Sequence, residues 1–152
     1  CLHWIPGHET LLPKLMEKLT PGGMLAVQIP LTQQAVFYKL LHELIQADKW
    51  KMLNEIHNFH NLTPNATYDV LAGCSGEVAM WETVYYHVVP SHSAVIDWYK
   101  GSGLKPYLDA LGENEKMEFL GELLEAVKEN IPVQGDGNVI LKMPRLFFTA
   151  KK

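Results

Sequence analysis

The segment TPGGMLAVQIP, residues 20–30, decides the fold class of the chain. Its first four residues have turn chemistry, and a continuous apolar run follows until the closing proline. A run of this length after a glycine turn predicts a buried strand over residues 24–29. The strand is expected to be parallel to a neighbour, because a helix delivers the chain to it. That helix is predicted over residues 9–19, where leucines recur at helical spacing, so the fold class is α/β.

The rest of the chain is predicted to alternate between helices and two further strands. Thr63 before Pro64 has the signature of a helix N-cap, and Ser93 is predicted to cap a second helix. The long helix near the end is expected to bury a stripe formed by Met117, Leu120, Leu124 and Val127. Apolar residues recur about every third position over residues 49–62, and this pattern predicts an irregular helix. Helices are predicted over 33–47, 65–72, 93–100, 105–111 and 114–130, and strands over 77–89 and 138–150.

Composition predicts one domain over residues 1–152 and excludes several classes of function. The 152 residues are 47% hydrophobic and carry a net charge of −4, so no basic field favours nucleic acid. No apolar run of the length that a membrane span needs is present. Two cysteines without metal spacing suggest a reducing, cytoplasmic setting. His57 and His60 are spaced like metal ligands, but two histidines without a third ligand are usually solvated.

A small group of polar and aromatic residues predicts ligand contact. Arg145 is the one arginine of the sequence, and its planar fork suits a carboxylate, although a surface arginine paired with a glutamate is the alternative. Tyr86 and His87 end a strand, where open α/β sheets often bind ligands, but they point to opposite faces. His87 is equally compatible with a hydrogen-bonded histidine at a loop junction. Gln28 is polar within an apolar strand and needs a partner, which could be substrate or backbone.

Several segments, in order along the chain, resemble the trans-aconitate 2-methyltransferase family. Each segment alone is weak, but the ordered set is fairly specific and spans nearly the whole chain. The resemblance is weakest over residues 31–67. The segments are LHWIP at 2–6, LTPGGMLAVQIP at 19–30, WETVYYH at 81–87, IDW at 96–98 with SGLKP at 102–106, and PRLFF at 144–148.

The resemblance implies the C-terminal part of a class I S-adenosylmethionine-dependent methyltransferase. In that Rossmann-like fold the last, antiparallel strand lies between its neighbours, so the three predicted strands would be adjacent. The implied activity is O-methylation of a carboxylate of a small polycarboxylic acid such as trans-aconitate. The chain would begin after the fourth strand, and its partner would be the missing N-terminal half. Residues 31–76 and 91–136 would be mainly helical acceptor-pocket or lid segments.

The cofactor implied by the resemblance is S-adenosylmethionine, and the resemblance assigns His3 and Trp4 to its side of the site. Gln28 is predicted to join them, because it lies at the carboxyl end of its strand, where the cleft is expected. Trp4 could equally be a core tryptophan exposed by truncation. The family's glycine-rich loop and ribose-binding acid are absent from this sequence. Neither Gly22-Gly23 nor the pair of Gly101 and Gly103 follows a strand and opens a helix, as that loop would. The chain alone is therefore expected to bind the cofactor poorly. Trp98, Ser102 and Gly103 would form a wall or lid over the acceptor.

A function of a different class is a non-catalytic fragment or self-association module. Without a neighbouring fourth strand, residues 24–29 would present an unpaired apolar edge. The free backbone N–H and C=O groups of such an edge can pair with a strand of another chain. A homodimer through this edge is therefore the alternative expectation.

Overall fold

The computed structural model describes residues 1–56 and 59–152 as a mixed α/β structure. Short 3₁₀ helices at Leu2–Trp4, Thr32–Gln34 and Asp48–Glu55 complement the main elements. The strands are β1 (Met24–Pro30), β2 (Glu77–Val89) and β3 (Val139–Lys151). The helices are α1 (His8–Glu17), α2 (Val36–Leu44), α3 (Pro64–Ala72), α4 (His92–Lys100), α5 (Lys105–Asp109) and α6 (Glu113–Asn130).

The three strands form one sheet in the order β1-β3-β2, so the last strand lies between the other two. β1 and β3 are antiparallel, with Met24 opposite Lys151 and Pro30 opposite Arg145. This order agrees with the one that the resemblance implies. The parallel neighbour expected for β1 stays a prediction, because among the described residues its paired neighbour is the antiparallel β3.

The chain divides into two compact units. Unit 1 contains Cys1–Thr32, Phe59–Tyr85 and Pro144–Lys152. Unit 2 contains the described residues within 33–58 together with Tyr86–Met143. The expectation of a single domain, and of helical segments that form the acceptor pocket or lid, stays a prediction.

The core of unit 1 forms where α1 and α3 cover one face of the sheet. The prediction that β1 is a fully buried strand is wrong, because its side chains alternate between covered and exposed and only Ile29 is fully buried. Met24 is 57% exposed on the other face. The apolar run therefore behaves as a strand with one covered face, since the helices of this unit lie on one side only. The core residues are Leu12, Met16, Ile29, Leu31, Leu71, Leu146, Phe148 and Ala150.

The core of unit 2 is dominated by aromatic and aliphatic side chains from its helices. The predicted stripe of α6 is partly wrong: Phe119, Leu123 and Val127 are buried, whereas Met117 is 68% exposed. Leu120 and Leu124 are half-buried beside that stripe, so the covered face is rotated by about one residue relative to the prediction. The largest fully buried side chains of this core include Phe37, Leu41, Ile45, Trp50, Leu53, Leu104 and Phe119.

Side-chain caps fix two of the helix starts. The predicted Thr63 cap is present, with its hydroxyl accepting from Ala66 N at 3.2 Å. The predicted Ser93 cap is wrong, because Ser91 accepts from Ala94 N while Ser93 lies inside α4. Both serines satisfy the sequence preference, and the extended backbone at Ser91 decides between them.

Candidate functional site

The residues predicted to form the site fall into two groups, one in each unit. Unit 1 contains His3, Trp4, Gln28 and Arg145. Unit 2 contains the other predicted contacts, namely Tyr86, His87, Trp98, Ser102 and Gly103. The ligand roles of these residues remain proposals.

Arg145 lies in β3, opposite Pro30, the last residue of β1. Its register partner is Pro30, so the two side chains share a face of the sheet. Arg145 is half-buried, and within the part of the chain that the structure describes no carboxylate forms an ion pair with it. The alternative of an arginine paired with a glutamate is therefore not what the structure shows. A guanidinium without an ion-pair partner can donate hydrogen bonds to the carboxylate of a ligand.

His3 lies near Arg145 and is held in its neutral form. Burial, followed by the positive charges of the amino terminus, Arg145 and His8, lowers the pKa of His3 from 6.5 to about 4. The Nδ1 atom of its ring is buried and has no hydrogen-bond partner among the described residues. Near neutral pH this imidazole therefore adds no positive charge beside Arg145, but it leaves a ring nitrogen for another group.

Trp4 belongs to a small aromatic cluster beside this histidine. Its ring stacks on Phe59 with centroids 4.9 Å apart, and the His3 ring lies 4.8 Å from it. The indole is 41% exposed, so part of its surface is left uncovered beside these ring contacts. Phe59 was not predicted as a site residue, because its place in an apolar pattern that recurs about every third residue indicated irregular helix instead.

Asn61 is a second polar residue at this place that the sequence did not predict. Its side-chain Nδ2 donates to the carbonyl oxygen of Pro30 at 2.7 Å, which ties it to the end of β1. Its Oδ1 atom is buried and has no hydrogen-bond partner among the described residues. No sequence signal marked Asn61, since a single asparagine ahead of a helix cap is an ordinary loop residue.

Gln28 lies two residues before Pro30 on the same face of β1. Its register partner is Phe147, and its side chain is exposed. The reasoning that a buried polar residue needs a partner therefore does not apply to it. Gln28 nevertheless shares the face of the sheet that carries Arg145, because residues two apart on a strand point the same way.

In unit 2, His87 and Trp98 contact each other while Tyr86 points elsewhere. The rings of His87 and Trp98 have centroids 5.0 Å apart at an angle of 40°. Tyr86 precedes His87 in β2 and therefore projects from the opposite face, where it is 64% exposed. The three predicted contacts thus do not form one surface, and the pair of His87 and Trp98 is the cluster that the fold assembles.

Ser102 and Gly103 lie in the turn between α4 and α5. Ser102 is exposed, whereas Gly103 is buried against Tyr38, whose hydroxyl oxygen would lie 2.2 Å from an added Cβ atom. The space beside Gly103, where a ligand was expected to approach the backbone closely, is therefore filled by the side chain of Tyr38. Gly103 serves packing within unit 2, and any contact with a ligand would have to coexist with Tyr38.

Two shallow grooves lie outside these groups. One in unit 1, of about 300 Å³, has an aromatic lining that includes Tyr68 and Trp81, with Glu82 as its charged residue. One in unit 2, of about 180 Å³, lies between α4 and α6, and its Lys100 pairs with Asp97 at 2.7 Å. Neither lining offers an unpaired cation, so neither suits a polycarboxylate as well as the surroundings of Arg145.

The described residues do not form a complete site for a nucleotide-like cofactor. Gly22 and Gly23 lie between α1 and β1, and Gly101 and Gly103 lie between two helices, so none of them joins a strand to the start of a helix. Close backbone approach of the kind that a dinucleotide site uses is therefore not available here. His3 and Trp4 could supply at most one wall for such a group.

The described residues lack two further features. They contain no group of three or more histidine, cysteine, aspartate or glutamate side chains that could hold a metal ion. The sequence pair of His57 and His60 includes His57, which lies outside the described residues. No helix in the described ranges is long and apolar enough to cross a membrane.

Similar proteins match the chain along nearly its whole length. A curated trans-aconitate 2-methyltransferase of Klebsiella pneumoniae (strain 342) is 40% identical over 151 residues, which is 99% of this chain and 58% of the relative. The proteins of that name from Escherichia coli O157:H7 and Escherichia fergusonii are 38% and 37% identical over 152 residues, or 59% of their length. The chain thus spans less than two thirds of these relatives. No family profile matches it.

Proposed function

We propose that this chain, which resembles the trans-aconitate 2-methyltransferases over 99% of its length, is part of an S-adenosylmethionine-dependent O-methyltransferase. Its substrate would be a small polycarboxylic acid such as trans-aconitate, methylated on one carboxylate. The observation that carries the proposal is this whole-length similarity. The confirmed resemblance and the sheet order β1-β3-β2 point the same way.

The geometry of unit 1 supports a role in acid binding. Arg145 has no carboxylate partner among the described residues, and it lies near a histidine that is neutral at neutral pH. Transfer of a methyl group to a carboxylate needs alignment and exclusion of water more than it needs a nucleophile. Arg145 is therefore assigned to binding and orienting the acid, and no residue of this chain is assigned to the chemical step.

The cofactor, S-adenosylmethionine, would be held mainly by residues outside this chain. Within the described residues, His3 and Trp4 with Gln28 are proposed as one wall of its site. In unit 2, Tyr86, His87, Trp98, Ser102 and Gly103 remain proposed acceptor contacts. The His87–Trp98 pair is the better supported part of that set, because those two rings are in contact.

The first test is calorimetric titration of S-adenosylmethionine into this chain and into the native gene product, whose intact mass decides whether it is longer. Binding to a longer product alone is the expected result. If the gene product extends no further than this chain and binds no cofactor, the proposal is wrong.

The second test is the Arg145→Gln variant of the native gene product. It is expected to lower kcat/KM for trans-aconitate by about 30-fold, because loss of one partner of a charged hydrogen-bonded pair costs ~2 kcal/mol. The assay follows transfer of a labelled methyl group. Lys142→Gln removes the same charge from an exposed position on β3 and is expected to keep full activity. Equal rates for both variants would contradict the role of Arg145.

The second candidate function is self-association. Within the described residues β1 pairs on one edge only, and Met24 is exposed on its uncovered face. An apolar strand with an open edge can pair with a second copy. Sedimentation analysis of this chain would then show a dimer that Ala26→Lys dissociates, whereas a monomer at all concentrations would exclude this candidate.

A further inference from the structure

The two faces of the sheet in unit 1 differ in what covers them. Helices α1 and α3 pack on one face, where Ile29, Leu146 and Phe148 are buried. The side chains that alternate with these along the strands point to the other side of the sheet. This second side, the open face, consists of Met24, Ala26 and Gln28 from β1, Arg145, Phe147, Thr149 and Lys151 from β3, and Trp81 from β2.

The middle of the open face is apolar and aromatic, and it is accessible in this chain. Trp81 stacks on Phe147, with ring centroids 5.5 Å apart and an angle of 13° between the ring planes. Trp81 is 48% exposed and Met24 is 57% exposed. An apolar sheet face is normally buried against a second layer of structure, so this face is expected to have a partner.

Side-chain size and charge restrict the kind of partner that fits the open face. Ala26 lies opposite Thr149, so small side chains separate Met24 from the aromatic pair. Arg145 and Lys151 lie opposite the two ends of β1, and the β1 and β3 positions between them carry no charge. The apolar stripe of an amphipathic helix suits such a surface, because it needs no charged partner there.

The relatives point to where this helix comes from. The match covers 58% of the Klebsiella pneumoniae protein and 59% of the Escherichia coli O157:H7 protein, so a large part of each relative lies outside it. A segment that is covalently joined to this chain reaches the open face at a high effective concentration. A second copy of the chain has no such advantage and must associate from solution.

We propose that the open face is the docking surface for an amphipathic helix of the same gene product, from the part that corresponds to the unmatched length of the relatives. The helix covers Met24, Ala26 and Thr149 and the stacked pair of Phe147 and Trp81. Arg145 lies at the margin of this surface, so the docked helix does not use it. The inference rests on the proposed function, because it names the surface by which this chain joins the rest of the enzyme.

Methionine oxidation tests the proposal on the native gene product without any substitution. Met24 on the open face and Met52 in unit 2 are each 57% exposed in this chain, so they differ in reactivity only if one of them is covered. Dilute hydrogen peroxide converts accessible methionines to sulfoxides, which peptide mass spectrometry quantifies. We expect Met24 to oxidise about 10-fold more slowly than Met52. Met117, which is 68% exposed, is a second control that should react as fast as Met52.

A matched pair of variants gives a second measurement on the same protein. Met24→Lys places a charge on the covered surface and is expected to lower the melting temperature by about 5 °C. Met52→Lys makes the same change at an equally exposed position and is expected to shift it by no more than about 2 °C. A shift for Met24→Lys no larger than that for Met52→Lys would contradict docking at this face.

The possible outcomes separate this inference from the proposed function. Equal oxidation rates of Met24 and Met52 overturn the inference, and protection of Met24 that is lost on dilution assigns the face to a second copy and overturns it as well. Methyl transfer to trans-aconitate, measured on the same sample, reports on the proposed function independently, so activity with an unprotected Met24 overturns only the inference. A gene product that extends no further than this chain overturns the inference whatever its activity, and without activity it overturns the proposed function too.

Discussion

At the scale of single residues, Gly103 has the tightest packing requirement of the turn that contains it. An added Cβ atom would lie 2.2 Å from the hydroxyl oxygen and 3.1 Å from Cζ of Tyr38. Gly101, two residues earlier, would meet no atom within 4 Å. Substitution by alanine is therefore expected to be destabilising at Gly103 and nearly neutral at Gly101.

We expect Gly103→Ala to lower the free energy of unfolding by about 2 kcal/mol, through overpacking against Tyr38. Gly101→Ala is the matched control and is expected to be nearly neutral. Urea unfolding measures both. Adding Tyr38→Phe to Gly103→Ala removes the closest contact and should recover part of the loss. A Gly103→Ala protein as stable as wild type would show that Tyr38 can move away without cost.

His3 should show an unusual titration. Its pKa is about 4 in the folded protein against 6.5 for an ordinary histidine, mainly because of burial. Between these values the unfolded chain binds a proton that the folded protein does not bind. The stability associated with neutral His3 is thus complete above pH 6.5 and is lost as the pH falls toward 4.

We therefore expect the His3 ring resonance in NMR, assigned by its absence in His3→Gln, to titrate with a midpoint near 4. The fall in melting temperature between pH 6.5 and 4 should be smaller in His3→Gln than in the wild-type protein. A wild-type midpoint near 6.5 would mean that the ring is solvated, and His3 would then lose its proposed place beside Arg145.

At the scale of elements, a hydrogen bond joins the 3₁₀ helix Asp48–Glu55 to α6. The indole N–H of Trp50 donates to Oε2 of Glu122 at 2.7 Å, and the Trp50 ring packs edge-on against Phe119. This hydrogen bond is the main cause of the lowered pKa of Glu122, with Lys49 contributing. The sequence predicted irregular helix over 49–62 but gave no sign of this partner, because a contact across more than 70 residues is set by packing.

Trp50→Phe should cost about 1–2 kcal/mol in the free energy of unfolding, since it removes the hydrogen bond and keeps an aromatic ring. Because the bond lowers the pKa of Glu122, the stability that it adds is present above about pH 4.5 and is lost as Glu122 becomes protonated. Urea unfolding of both proteins across this range measures the difference. A difference that does not change with pH would assign the whole effect to packing.

Local chemistry determined most of the element bounds but not which side of each element is covered. Residues 77–89 were predicted as a strand and form one with the same bounds, because β-branched and aromatic residues dominate that stretch. In contrast, the apolar run of β1 was predicted to be buried on both faces, and the α6 stripe was displaced. Both errors concern which neighbour lies where, and short apolar runs do not encode that information.

At the scale of the whole molecule, the candidate site was only partly predictable. Arg145 stood out as the one arginine, and its position opposite Pro30 at the end of β1 agrees with a ligand role. Asn61 could not be found, because its significance comes from a buried oxygen without a partner rather than from any motif. The predicted residues also proved to be divided between two units, which no local pattern reveals.

The position of β3 has a consequence for synthesis. It follows β1 and β2 in sequence, yet it lies between them, so this three-stranded arrangement cannot form before residues 139–151 exist. On the ribosome, the earlier strands must leave the exit tunnel and wait, with their hydrogen-bonding groups open to water or to a chaperone. Pairing of β1 with β3 thus waits for the synthesis of residues 139–151, and because it joins residues more than 100 positions apart, this step is slow compared with helix formation.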